Sequence, residues 1–266
     1  MIGVIRPVWN FRGFILGSVK REFQSKYRRS MLGGLWTIIK PLSMIVVYTL
    51  IFSQVMQAKL PGVEEGSRFA YSIYLCAGIL TWGLFAEIVG RSQTMFIENA
   101  NLLKKVSFPR LCLPVILTLN ALVNFAIIFG LFLVFLLAVG AFPGWVFLAM
   151  IPLLAVQLVF ALGLGVTLGI LNVFFRDVGQ TVTVALFFWF WLTPIVYPAA
   201  ILPEGVEAIL RYNPMYPLMS AYQDLMVHGQ APEWVSLWPV VLLGLLLSAL
   251  GVRLFLRRAG EMVDEL

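Results

Sequence analysis

The sequence predicts an all-α polytopic membrane protein, and three observations carry that reading. Hydrophobic residues fill 61% of the 266 positions and charged residues only 12%, about half the roughly 25% of a soluble globular chain. Six apolar stretches, near residues 35–56, 69–90, 112–140, 145–173, 180–200 and 234–256, approach or exceed the roughly 20 residues a helix needs to cross a bilayer. Basic residues gather on one side of that plan: of 19 Lys and Arg, only Lys59, Arg68 and Arg211 fall on the other, leaving 16. The positive-inside rule then places both termini in the cytoplasm. Residues 1–266 read as one transmembrane domain. Within it, 1–34 is a cytoplasmic interfacial segment, 35–256 the six-span bundle and 257–266 a cytoplasmic tail. Residues 1–30 lack the apolar core and small-residue cleavage site of a signal peptide.

Taken in order, residues 11–30 predict a short helix with Leu16, Val19, Phe23 and Tyr27 on one stripe and Arg21, Arg28 and Arg29 elsewhere. Such a helix lies in the interface with its basic side toward phosphate headgroups; a plain positive-inside anchor is the alternative. Gly33 and Gly34 interrupt helical continuity and allow a turn from lying flat to spanning. Lys40 stands one turn inside the first span, where it can snorkel, and Pro41 predicts a kink.

The connection 91–111 predicts a short amphipathic helix, with Asn99 and Asn101 as possible caps and Pro109 as its stop. Its apolar residues Leu102, Leu103, Val106 and Phe108 suggest a docking surface for another protein, against the alternative of a solvated basic loop. Asn120 and Asn124, one turn apart in the third span, predict hydrogen bonds between helices, and Gly163, Gly165 and Gly169 predict close helix packing in the fourth. Phe174–Asp177 reads as a tight inner turn with an Arg176–Asp177 pair. The fifth span carries "LFFWFWLTPIVYP", with Phe187 to Trp191 near mid-span. Either these rings face a pore, where they suit sugar rings, or they pack between helices. Residues 199–233 hold short proline-bounded helices, read as an outer lid or a re-entrant hairpin.

Several classes are excluded. No Gly-x-x-x-x-Gly-Lys-Ser/Thr occurs, so no P-loop binds ATP here. There is no His-Glu-x-x-His, Cys/His cluster or Gly-x-Ser-x-Gly, and no chain of intramembrane acids for proton coupling. Cys76, Cys112 and the single His228 have no metal-ligand spacing. What remains is a conducting subunit that a partner powers.

The chain resembles the type-2 ABC permease family in four motifs that occur in order. "KYRRSMLGGLW" followed by "KPL" places Ser30, Leu32, Gly33, Trp36, Pro41 and Leu42 on the family's entry pattern. "ENANLLKKVSFPRLCLP" is similar to its coupling segment, with Asn101, Leu102, Lys104, Lys105, Phe108, Pro109 and Pro114 in place. "FFRDV" and "YNPMYPL" follow. Within the family the chain looks most like the polysaccharide export branch that moves O-antigen and capsule. The resemblance implies a homodimer with two copies of an ABC ATPase subunit, which binds the ATP and Mg; this chain holds no cofactor and no metal.

It also implies a channel lined by the first and fifth spans. Tyr48, Phe52, Phe188, Trp189, Trp191 and Tyr197 are the aromatic candidates there. The coupling surface would be Asn101, Leu102, Leu103, Lys104, Lys105, Phe108 and Pro109. The outer gate would hold Asn213, Pro214 and Tyr216. Leu32 and Gly33 would border the cytoplasmic mouth. Arg28 and Arg29 suit the pyrophosphate of an undecaprenyl-linked glycan by their charge, although the family pattern does not single them out. The expected location is the bacterial inner membrane, and no nucleic acid is expected as a partner. The alternatives are export of a drug, a small lipid or a teichoic-acid-type polymer. A polytopic glycosyltransferase would need a paired-carboxylate site, which is absent, and an ion channel would not need a docking loop.

Overall fold

A computed structural model describes residues 9–27, 32–55, 60, 69–105, 108–258 and 260–265. The described residues are helical or irregular, with no strand among them. α1 is Arg12–Tyr27. A short 3₁₀ turn, Gly33–Leu35, leads into α2, Trp36–Tyr48, which continues as a π-helical turn, Thr49–Val55. Gly33 has φ of 48°, the left-handed region that favours glycine, so the interruption expected at this point falls on the residue suited to it. α3 is Ala70–Ser92, α4 Met95–Glu98, α5 Ala100–Lys105 and α6 Cys112–Ala138. α7 is Met150–Phe174, α8 Asp177–Trp191, α9 Glu204–Leu210, α10 Met215–Val227, α11 Trp238–Arg258 and α12 Glu261–Glu265.

Among the described residues, five helical stretches are long and apolar enough to cross a membrane: Gly33–Phe52, Ala70–Ser92, Cys112–Ala138, Gly144–Phe174 and Trp234–Arg258. The expected fifth span differs. Residues 180–200 do not form one helix, because α8 stops at Trp191 after 15 residues. At 1.5 Å per residue that is about 22 Å, short of the roughly 30 Å hydrocarbon core. Pro194 causes the break: it has no N–H to continue the ladder, and it disfavours helix at Thr193.

The carbonyls that the broken helix leaves open are bonded by side chains of α3 and α10. The Tyr71 hydroxyl donates to Val196 O at 2.9 Å, and the Tyr74 hydroxyl is within reach of Pro194 O (3.0 Å) and Tyr197 O (2.9 Å). The Gln223 amide donates to Pro194 O at 3.1 Å. An irregular segment inside a packed protein needs such partners.

α3 is the most buried span and α2 the least. Around α3 pack α6, α7 and α10. The Phe85 ring stacks on Phe160, and Gln157, fully buried, donates to Thr81 O at 2.7 Å. α7 and α11 approach so closely that a Cβ at Gly163 would lie 2.7 Å from Ser248 N. Gly165 and Gly169 instead receive the end of α3, where a Cβ on Gly169 would meet Ser92 O at 2.4 Å. Small residues permit this contact. Cys76 and Cys112 are buried and unpaired, as small apolar side chains.

Two local expectations are corrected. Arg176 and Asp177 form no ion pair among the described residues. Asp177 instead stands in the first turn of α8, where a carboxylate favours the helix N-terminus. The docked stripe of α1 is Phe14, Ile15 and Val19, which with Phe11 just before the helix pack on Cys112, Ile116 and Phe108. Leu16 is exposed, so the apolar face sits rotated from the predicted stripe and is partly spent on the bundle itself.

Candidate functional site

α8 carries the densest aromatic run, and the structure divides it in two. Phe187, Phe188 and Trp191 are 61%, 59% and 51% exposed, with Val184 on the same side. Trp189 and Phe190 turn inward. The Trp189 ring meets Phe85 at 5.3 Å, Trp82 at 6.1 Å and Phe160 at 6.2 Å, each near-perpendicular. Trp189 therefore anchors α8 in the core, apart from the exposed rings. Ile195 is fully buried beyond the break, so it does not extend the Phe188–Trp191 face.

Asn213 holds the broken end of α8 to α10. Its Oδ1 accepts the Trp189 indole N–H at 2.7 Å and the Met215 backbone N–H at 3.0 Å. Its Nδ2 is 2.9 Å from Thr193 Oγ1 and 3.1 Å from Leu192 O. One side chain thus caps the start of α10, stops α8 and fixes an aromatic anchor. Pro214 and Tyr216 flank it, both partly buried. Tyr197 donates its hydroxyl to Trp191 O at 2.6 Å, closing the turn after α8.

Tyr48 and Phe52, at the far end of the first span, join a ladder of rings. Tyr48–Phe52 centroids are 6.4 Å apart, Phe52 stacks on Tyr71 at 5.2 Å, and Tyr71 lies 6.1 Å from Tyr74. The open side of α2 is aliphatic: Leu42, Val46, Val47 and Leu50 are all exposed. α2 and α8 both leave much of their surface uncovered by the rest of the chain: α2 buries Thr37, Pro41 and Ile45, and among α8 residues only Val182 is buried.

In the connection 91–111, Leu102, Leu103 and Phe108 are used within the chain, and Val106 lies outside the described residues. Leu103 is buried in the core, with Leu102 and Phe108 packed against it. Phe108 also meets Phe14 of α1 at 5.3 Å. Asn101 and Lys104 are exposed, and Pro109 is partly buried. Lys105 ends α5, its side chain outside the described residues. At the expected mouth, Leu32 is exposed beside Gly33; Arg28 and Arg29 lie outside the described residues.

Several structural residues escaped the sequence reading. Asn172 donates to Gln93 O at 2.8 Å and accepts Gly179 N–H at 3.0 Å, fixing the α7–α8 turn to the end of α3. Tyr74 and Gln223 carry the broken segment after α8. Glu22 and Arg91 bind each other across α1 and α3. A polar residue inside an otherwise apolar run is the available signal for Asn172 and Gln157. Nothing in the spacing names their partners. Among the described residues no group of His, Cys, Asp or Glu could hold a metal.

The class is thus a helical multi-pass membrane protein with apolar helices that the rest of the chain leaves partly uncovered and no nucleotide motif. It belongs to the ABC-2 type transporter family, whose pattern matches residues 15–227. Its relatives include an O-antigen export system permease protein of Myxococcus xanthus, 31% identical over the full length of both chains. One of the same name from Klebsiella pneumoniae is 30% identical over 88% of each. A polysialic acid transport protein of Escherichia coli is 20% identical over 92% of this chain and 93% of its own.

Proposed function

We propose that this chain is the permease subunit of a bacterial inner-membrane exporter of O-antigen-type polysaccharide, carried on undecaprenyl pyrophosphate. It works as a homodimer with two separate ABC ATPase subunits, which bind ATP and Mg. The observation that carries the reading is the pair of uncovered helices, α2 and α8, in a chain with permease relatives of full length. Across a two-fold axis these helices can enclose a path. Phe187, Phe188 and Trp191 give that path aromatic faces, whose negative π-clouds suit the C–H faces of sugar rings.

The membrane is crossed six times in this reading, with both termini cytoplasmic. α1 meets Phe108, and α12 packs on α5, which supports putting α1 and α12 at the same end of the bundle, with an even number of crossings between them. α8 starts at the end where Asn172 meets Gln93, and α11 begins at the other. α8 and the irregular residues after it therefore make the return crossing. α9 and α10 serve as the outer gate, with Asn213, Pro214 and Tyr216 at their junction. Asn101 and Lys104, the exposed members of the coupling segment, with Lys105 beside them, face the ATPase. Gly33 turns the chain at the cytoplasmic mouth, with Leu32 and the basic residues Arg28 and Arg29 beside the lipid pyrophosphate.

The test is complementation of a permease deletion. Wild type restores surface glycan. Phe188→Ala with Trp191→Ala accumulates at normal level and restores little, whereas Trp189→Ala lowers the level of the protein itself. Normal glycan from the Phe188/Trp191 variant removes the aromatic path.

A further inference from the structure

α1 is held to the bundle at two places of different chemistry. Its first half is docked by apolar contact, Phe14 and Ile15 against Cys112, Ile116 and Phe108. Its second half is held by polar groups from two elements, α3 and α6. Glu22 of α1 accepts hydrogen bonds from Arg91 of α3 and from Asn120 of α6. Next to it, Glu87 of α3 accepts from Asn124 at 3.0 Å, and its carboxylate stands 3.5 Å from the Arg91 guanidinium. Glu22 is the only acid before Glu64 in the sequence, so α1 reaches the cluster through that one carboxylate.

Two features suit this contact to being opened. The cluster borders a cavity of about 390 Å³ that also touches Phe23 and Ser25, and the Arg91 and Glu22 side chains are 38% and 42% exposed. A part-exposed ion pair is cheap to break, unlike a buried one. Arg91 also lies between two carboxylates, Glu22 and Glu87. When Glu22 leaves, Arg91 keeps Glu87, and no charge is stranded at the edge of the span.

We propose that Glu22 is a positioning residue that works as a releasable catch: α1 pivots on its Phe14–Ile15 contact, Glu22 leaves Arg91 and Asn120, and the Gly33 turn that follows α1 moves with it. The inference rests on the exporter reading, because the movement is driven by the ATPase that contacts this end of the chain. It assigns a role to Glu22, Arg91 and Asn120, which neither the channel nor the coupling segment uses.

The experiment uses the assembled permease–ATPase complex in vesicles. Ser25→Cys with Asn124→Cys, two residues on the same cavity that leave Glu22, Arg91 and Asn120 in place, in a background without Cys76 and Cys112, is bridged by a short bis-maleimide. Bridging should be efficient without nucleotide and fall about fivefold or more when the ATPase is trapped with ATP and vanadate. The bridged complex should hydrolyse ATP but export little glycan per ATP. Glu22→Ala should lower that ratio too, with wild-type co-purification of the ATPase, and Glu22→Asp should restore most of it. A brace with only a structural role would lower assembly and hydrolysis together. Bridging that ignores nucleotide, or a bridged complex that exports normally, overturns the catch. If the wild-type complex hydrolyses ATP and moves no glycan, the polysaccharide reading falls, while the nucleotide dependence of bridging still decides the catch.

Discussion

Alanine placed at four glycines should change stability in opposite directions according to what faces each one. At Gly169 a Cβ would sit 2.4 Å from the Ser92 carbonyl oxygen, and at Gly163 it would sit 2.7 Å from Ser248 N and 2.8 Å from Gly244 O. These are backbone atoms of α3 and α11, so the helices themselves must separate. Overpacking of this kind costs about 1–3 kcal/mol, against a gain of about 1 kcal/mol from replacing helical glycine by alanine. Gly130 and Gly83 have nothing within 4 Å of the added atom and keep only the gain. The assay is thermal unfolding in one detergent, followed by tryptophan fluorescence. For a chain of this size about 1 kcal/mol moves Tm by roughly 2–4 °C. Gly130→Ala and Gly83→Ala should hold or raise Tm, while Gly169→Ala should lower it by several degrees and Gly163→Ala in the same direction. A Gly169→Ala variant as stable as Gly130→Ala would refute the close α3–α7 contact.

Two further substitutions test the broken helix and its surroundings. Asn213→Ala removes the cap of α10 and leaves the Trp189 N–H without its acceptor; a lost cap costs about 1 kcal/mol and an unsatisfied donor about 1–3 kcal/mol, so Tm should fall clearly. Asp224, beside His228 at the end of α10, has its pKa raised above the ordinary 3.8, first by burial, with a Ser220 hydrogen bond opposing. The raised pKa makes the charged form the costly one in the fold, so stability falls as pH rises above about that ordinary value and is recovered below it. Asp224→Asn should therefore match wild type in Tm at the acidic end and exceed it near neutrality; a pH-independent difference contradicts this.

The spans were legible because hydropathy reports what must leave water, and five of the six stretches appear as helices. Pro194 was equally visible in the sequence, yet apolarity continued past it to Ile195 and Val196, so the count of residues concealed the break. The aromatic run shows the same limit: five consecutive rings cover all sides of a helix, and only packing decides that Trp189 joins Phe85 and Phe160 while Phe188 stays open. For α1 the helix was legible and its docked side was not, since Phe11, Phe14 and Ile15 are as apolar as Leu16 and Phe23. Leu103 and Phe108 read as a surface for a partner because the sequence does not reveal that α12 and α1 come back to cover them. Asn120 and Asn124 were legible as interhelical donors. Their acceptors, Glu22 and Glu87, come from other elements, and only the tertiary fold brings them there.

The central claim is that glycan passes along the exposed faces of α2 and α8. The most direct measurement is site-specific photocrosslinking during export, with the complex stalled on a radiolabelled lipid-linked glycan. A probe at Phe188 should capture glycan in an ATP-dependent way, and a probe at Val134, equally exposed on α6, should capture lipid but no glycan. Glycan captured at Val134 and not at Phe188, while export proceeds, would contradict the account.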